Sequence, residues 1–152
     1  MGPGDLKQTL CGLSPTDERI LVGFDTSEDA SVYQINETQA LVQTLDFITP
    51  VVDDPYIYGQ IAAANALSDV FAMGADVKTA MNIVGFDKKN ISKEALALIL
   101  NGGNEKIKEC GGVLLGVFID FHNVISFHTM ARPTTLLLSS LATSILAPAK
   151  LA

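Results

Sequence analysis

Cysteine is nearly absent. The 152 residues include only Cys11 and Cys110, too few for a disulfide scaffold. Basic side chains are scarce as well: ten Lys and Arg face seventeen Asp and Glu, and the formal net charge of −7 repels nucleic acid and anionic membrane unless a basic patch or metal ions intervene. No nucleic-acid partner is therefore expected. Nor does a charged stretch followed by an apolar one open the chain as a secretory signal would, so the expected compartment is the reducing cytoplasm. Long apolar runs are missing too. The stretch from Thr134 to Ala147, bounded by Pro133 and Pro148, would make a helix of about 14 residues where a membrane span needs about 20, and no membrane partner is expected.

What is present suits a folded domain. Hydrophobic residues make up 48% and charged residues 18%, which sets aside a collagen, a coiled coil or a wholly disordered chain. The length fits one domain, or one domain with an appended segment. Near Gly116 the character changes. Residues 117–152 hold one acid, Asp120, and two bases, Arg132 and Lys150, a charge of +1 that leaves −8 for residues 1–116. Before that point apolar runs alternate with acidic turns, as in an α/β or α+β domain.

Short apolar runs at Ile20–Val22 and Ser31–Ile35 and a longer one at Ala40–Ile48 read as strands. In the third, Val42, Thr44, Asp46 and Ile48 point one way and Leu41, Gln43, Leu45 and Phe47 the other. Asp53 and Asp54 stand before Pro55 where a helix cap is expected, and a helix from Tyr56 to Met73 follows, stopped by Gly74. Lys78–Phe86 reads as a fourth strand. Ser92 can cap a second helix running to Cys110, in which Leu96, Ile99, Leu100, Gly103 and Ile107 form one stripe for packing on a sheet. Gly111 and Gly112 end it, and a further strand starts at Val113.

Most carboxylates lie in turns or on helix surfaces, where water accounts for them. Asp29 at the mouth of a strand, Asp46 within an apolar strand and Asp69 within ALSDVFA do not fit as comfortably. An ionised carboxylate taken from water needs a partner, and residues 20–77 contain no Lys or Arg to serve. An external cation is then attractive. Mg²⁺ takes carboxylate oxygens together with phosphate oxygens and water, so these aspartates suggest a nucleotide–Mg²⁺ site. Asn65 and Asp69, four residues apart, share a helix face beside a run of alanines. The plainer account leaves Asp46, Asn65 and Asp69 bonded to backbone groups and GFDTSEDAS an ordinary acidic turn. Residue types alone leave both accounts open.

Other chemistries are weaker. Cys11 has no nearby His and Cys110 ends an apolar stripe, so both read as packing residues. His122 and His128 are six residues apart, a spacing without logic for zinc. Gly102-Gly103 and Gly111-Gly112 are too sparse for a phosphate-binding fingerprint.

The segments TSEDASVY, LVQTLDFITPVVDDPYIYGQIAAANALSDVFAMGA and KTAMNIVGF closely resemble the selenophosphate synthetase family, also called selenide, water dikinase. The resemblance covers residues 2–116. It implies an α+β fold, a mixed or antiparallel sheet with helices on one face as in aminoimidazole ribonucleotide synthetase, that pairs with a second copy into a barrel-like homodimer core. It also implies a reaction in which ATP, selenide and water give selenophosphate, AMP and phosphate, with Mg²⁺ holding the nucleotide. Asp29 and Asp69 look like magnesium ligands, Thr26, Ser27 and Glu28 like the loop touching the nucleotide, and Asp46 like a further nucleotide-site acid; Asp69 thereby serves both metal and nucleotide.

The chain departs from the family's pattern twice. The family carries a nucleophilic Cys or selenocysteine and then a Lys in a glycine-rich segment upstream of what is GPGDLKQTL here, so no catalytic nucleophile is expected after Met1. A selenocysteine codon read as a stop, with a restart at an internal Met, would account for this, and upstream DNA lacking such a codon would defeat the idea. After Gly116 the family continues into a second domain, whereas here a divergent apolar tail over 117–152 is expected to be loosely ordered or to lie over an apolar surface. The resemblance thus implies an incomplete fragment of 1–116 that binds ATP–Mg²⁺ weakly and turns over nothing. The rivals are a dimerisation module without turnover and another kinase of the superfamily, such as thiamine-monophosphate kinase.

Overall fold

The computed structural model describes residues 3–10, 12–13, 17–24, 28–86, 90–120 and 139–147. Among these the elements run α1 (Pro3–Leu10), β1 (Ile20–Val22), β2 (Ser31–Asn36), β3 (Gln39–Ile48), α2 (Pro55–Ala72), β4 (Thr79–Gly85), α3 (Lys93–Glu109), β5 (Val113–Asp120) and β6 (Ser139–Ala147). They form a six-stranded sheet in the order β1-β2-β3-β6-β4-β5. The first three strands are a meander of antiparallel neighbours, while β4, α3 and β5 make a crossover unit with β4 and β5 parallel. The expected α+β fold with a mixed sheet is present. α1 carries no signal that the sequence reading used.

The helices start and stop where local chemistry says. The Asp54 carboxylate accepts from the Ile57 amide at 3.0 Å and Pro55 is the first helical residue of α2. The Ser92 hydroxyl accepts from the Ala95 amide at 3.1 Å and caps α3. Gly74 and Gly111, with φ of 67° and 81°, sit just beyond the two C-caps, where a side chain would strain the backbone. Ser92→Ala should lower unfolding stability by about 1 kcal/mol, read from the midpoint of urea denaturation.

α2 and α3 cover one face of the sheet. The main core joins Ala63, Ala66, Leu67 and Val70 of α2 to Val42 of β3, Ala80 of β4 and Ile107 of α3, with Cys110 packed at its margin. A second cluster groups Val84, Phe86, Ile91 and Leu96. Tyr58, Ala62 and Ile99 make a third, in which the Tyr58 hydroxyl donates to the Ile48 carbonyl at 2.7 Å. The stripe expected on α3 is largely the buried one, with Gly102 added to it. α2 and α3 cross at glycines: a Cβ on Gly59 would stand 2.8 Å from the Ile99 carbonyl carbon, and one on Gly102 3.0 Å from that of Tyr56. Only backbone fits there.

On the sheet face away from the helices, Leu45 (62% exposed), Met81 (49%), Leu115 (65%) and Phe118 (63%) lie bare. Alternation places Leu45 and Met81 opposite the buried Val42, Ala80, Asn82 and Val84, and the extra residue of β5 between the pairs Ala80↔Leu114 and Met81↔Gly116 lets Leu115 and Phe118 share that face.

The segment after Gly116 differs from the expected surface tail. β5 runs through the compositional boundary to Asp120, and Ser139–Ala147 forms β6 inside the sheet. β6 pairs antiparallel with β3 from Ala40↔Ala147 to Ile48↔Ser139, and with β4 from Met81↔Ala142 to Val84↔Ser139. The physical reason is backbone satisfaction: β3 and β4 would otherwise present two facing rows of unpaired amides and carbonyls. Nor is the stretch between Pro133 and Pro148 a helix over 139–147, for its Ser, Thr and Ile residues suit an extended chain. Among the described residues no helix is long and apolar enough to cross a membrane.

Candidate functional site

The candidate site lies along the seam between β3 and α2. β3 presents Val42, Thr44, Asp46 and Ile48 towards the helices, as its alternation predicts: Val42 is buried and the other three are half-buried. α2 presents Asn65 and Asp69, one helical turn apart, towards the same strand. Two cross-bonds tie the elements together. The Thr44 hydroxyl donates to Asp69 Oδ2 at 2.6 Å, and Asn65 Nδ2 donates to Asp46 Oδ2. Each carboxylate thus receives an uncharged donor from the facing element. A Lys or Arg in place of Thr44 would cancel the charge of Asp69; the hydroxyl leaves that charge on the seam, which suits a hard cation.

Further bonds fix the helical side. Ser68 Oγ donates to the Asn65 carbonyl at 2.6 Å. The surrounding alanines, Ala62, Ala63 and Ala66, are buried and let α2 lie close to the sheet. The ion pairs Asp17–Arg19, Asp76–Lys78 and Lys106–Glu109 are formed by residues outside the seam.

Asp29 and Glu28 are exposed at the entry to β2. Ser31 pairs with Gln43, so the chain enters β2 alongside the part of β3 that carries Thr44 and Asp46. Ala30, next to Asp29, is buried in the main core and anchors this entry. The structure therefore brings Asp46 and Asp69 onto one seam and starts β2 beside it. Among the described residues no three His, Cys, Asp or Glu side chains gather as a protein-only metal cage. Thr26 and Ser27, and likewise Cys11, His122 and His128, lie outside the described residues. Thr44 is the residue that sequence reasoning placed on the right face without giving it a role; its position two residues before Asp46 on the same strand face was the available signal.

A polar cluster outside the seam reads as structural. Asp17 accepts from Arg19 Nε at 2.9 Å and from the Tyr33 hydroxyl at 3.3 Å, and the Arg19 guanidinium lies 5.0 Å from the Tyr33 ring centroid. The hydrogen bonds from Arg19 hold the Asp17 carboxyl well below the usual carboxylate range. This clamp ties the chain before β1 to β2, away from the β3–α2 seam.

Comparisons with known proteins bear on the same segments. The chain is 88% identical over 116 residues to the selenide, water dikinase of Aliarcobacter butzleri, an alignment covering 76% of this chain and 34% of that protein. It therefore spans about a third of the length of that relative. Among solved structures it is similar to tt0281 from Thermus thermophilus, with a TM-score of 0.71 and 18% identity over 97% of this chain and 45% of that one. It is also similar to AaThiL complexed with AMPPCP and TMP, with a TM-score of 0.64 and 15% identity over 95% of this chain and 40% of that one. At such identities the likeness concerns the fold. Residues 27–137, which contain β2 to β5 and the whole β3–α2 seam, match the family of AIR synthase related proteins, N-terminal domain, and the chain belongs to that family.

Proposed function

We propose that this chain supplies the ATP–Mg²⁺-binding part of a selenide, water dikinase, the phosphotransferase that makes selenophosphate from selenide, ATP and water and releases AMP and phosphate. The observation that carries the reading is the seam itself: Thr44 of β3 donates to Asp69 and Asn65 of α2 donates to Asp46, so both carboxylates lie along one strand–helix contact. The high identity to the Aliarcobacter enzyme supports the substrate class.

The donor set fits magnesium. All the candidate side chains offer hard oxygen, and Mg²⁺ is ordinarily held by one or two carboxylates with phosphate and water completing the shell. Asp69 and Asp29 would hold the ion, Asp46 would stand at the nucleotide, and Thr26, Ser27 and Glu28 would border it. The bound ion would neutralise polyphosphate charge. The chain's own part is to hold carboxylates oriented on a rigid strand–helix pair, so that phosphoryl groups are positioned for in-line attack. We place the protein in the cytoplasm, where selenide stays reduced.

Calorimetric titration with AMPPCP tests this. Binding that appears only with Mg²⁺ is expected; no binding at millimolar nucleotide with Mg²⁺ overturns it. Selenide-dependent AMP release would assign full turnover to this chain, and phosphorylation of thiamine monophosphate would move it to a sister kinase.

The bare sheet face favours a second property, homodimerisation through Leu45, Met81, Leu115 and Phe118 into a barrel-like core. A dimer in analytical ultracentrifugation is expected, with Leu45→Glu shifting it to monomer. A monomer in both proteins would remove dimerisation, and a nucleotide-independent dimer that never binds AMPPCP would leave a dimerisation module alone.

A further inference from the structure

We propose that Thr44 is a positioning residue for the Asp69 carboxylate, and that it sets the affinity of the site for the magnesium–nucleotide complex; this rests on the function proposed above. The geometry is specific. Thr44 Oγ1 lies 2.6 Å from Asp69 Oδ2, within the range of a hydroxyl donating to an ionised carboxylate. Both residues are half-buried, so few waters compete for that bond. The donor comes from a different element than the acceptor, 25 residues away in sequence.

Residue type matters at each end. Threonine is β-branched and its χ1 is restricted, so on β3 its hydroxyl is placed before any ligand arrives. The backbone under it is fixed on both sides: Val42↔Val32 in β2 lies two residues away, and Thr44↔Thr143 pairs it with β6. Asp69, on α2, can exchange between staggered rotamers and turn its carboxylate plane unless something holds one oxygen. The hydroxyl does so without contributing charge, so the carboxylate is oriented while its full negative charge remains for a cation. Asn65 donates to Asp46 from the opposite side, so the two bonds cross between strand and helix. A carboxylate that must first be frozen in place binds a metal less tightly than one already aimed.

Thr44→Val keeps shape and strand preference and removes the hydroxyl; Thr44→Ser keeps the hydroxyl. With AMPPCP, Thr44→Val should weaken affinity at saturating Mg²⁺ by about tenfold to a hundredfold and raise the Mg²⁺ concentration at half-saturation, as expected for losing a group that orients a ligand. Thr44→Ser should recover most of the affinity. A merely structural role would lower the melting temperature without moving the Mg²⁺ dependence. NMR couplings between the Asp69 carboxyl carbon and its backbone provide a readout that needs no nucleotide: one rotamer in the wild type and in Thr44→Ser, averaging in Thr44→Val.

Unchanged Mg²⁺ dependence in Thr44→Val, a loss that serine does not restore, or a single Asp69 rotamer without the hydroxyl would each overturn the proposal. If the wild-type chain binds no nucleotide, the proposed function fails, and the couplings alone then decide the role of Thr44.

Discussion

Gly102→Ala is expected to drive α2 and α3 apart and to cost about 3 kcal/mol or more of unfolding stability, at the severe end for added volume in a packed interior. For a domain of this size that corresponds to a fall of roughly 10 °C in melting temperature. The reason is the chemistry of what the new methyl group meets. It would press on the Tyr56 carbonyl and stand 3.2 Å from the Gln60 amide nitrogen, both main-chain atoms of α2 that no rotamer change can move. Relief requires the helices to separate, which opens the packing of Tyr58 and Ile99 between them.

The neighbouring position supplies the control. A Cβ on Gly103 would meet the Gly59 carbonyl oxygen at 3.5 Å, an ordinary contact. Alanine also suits a helix interior better than glycine by about 1 kcal/mol, so Gly103→Ala should be neutral or stabilising. Two adjacent, chemically identical substitutions with opposite outcomes in urea denaturation would establish backbone contact between the helices. Equal effects would refute it.

The second large effect concerns Asp69→Asn, which should reduce magnesium-dependent AMPPCP affinity by about a hundredfold or more, since it removes an oriented charge from the site. Without ligand the same variant should melt at a higher temperature than the wild type. Asp69 is half-buried and takes its hydrogen bond from an uncharged hydroxyl, so keeping a full charge there carries a desolvation cost that the neutral amide avoids. Adding Mg²⁺ and AMPPCP should reverse the order, because the wild type gains stability from bound ligand and the variant does not. Paired melting curves with and without ligand check both signs. A variant less stable than wild type in both conditions would show the carboxylate serving the fold rather than a ligand.

Much of this was legible because it is local. β1, β3 and β4 follow from alternation and punctuation, and Asp54, Pro55 and Ser92 mark helix starts through bonds that span three residues. Asp46 and Asp69 stood out because carboxylates in apolar segments without a nearby cation in sequence demand an explanation. What escaped was non-local. The need for glycine at position 102 depends on Tyr56 in another helix, and nothing near Gly102 announces it. Thr44 reads as a common strand residue until α2 lies above it. β6 escaped for the same reason: Ser139–Ala147 has weak alternation of its own, and its place is decided by β3 and β4, both distant in sequence.

The position of β6 bears on how the molecule is made. As synthesis proceeds from the N-terminus, β3 and β4 leave the ribosome long before the segment that lies between them, so the gap between those strands cannot close until residues 139–147 have emerged. Closing that gap joins partners up to about a hundred positions apart along the chain, a slow step for a polypeptide to complete. Until then its inner edges are open to strands of other molecules. Yield in cells should consequently depend on chaperone supply and on growth temperature more than the final melting point would suggest.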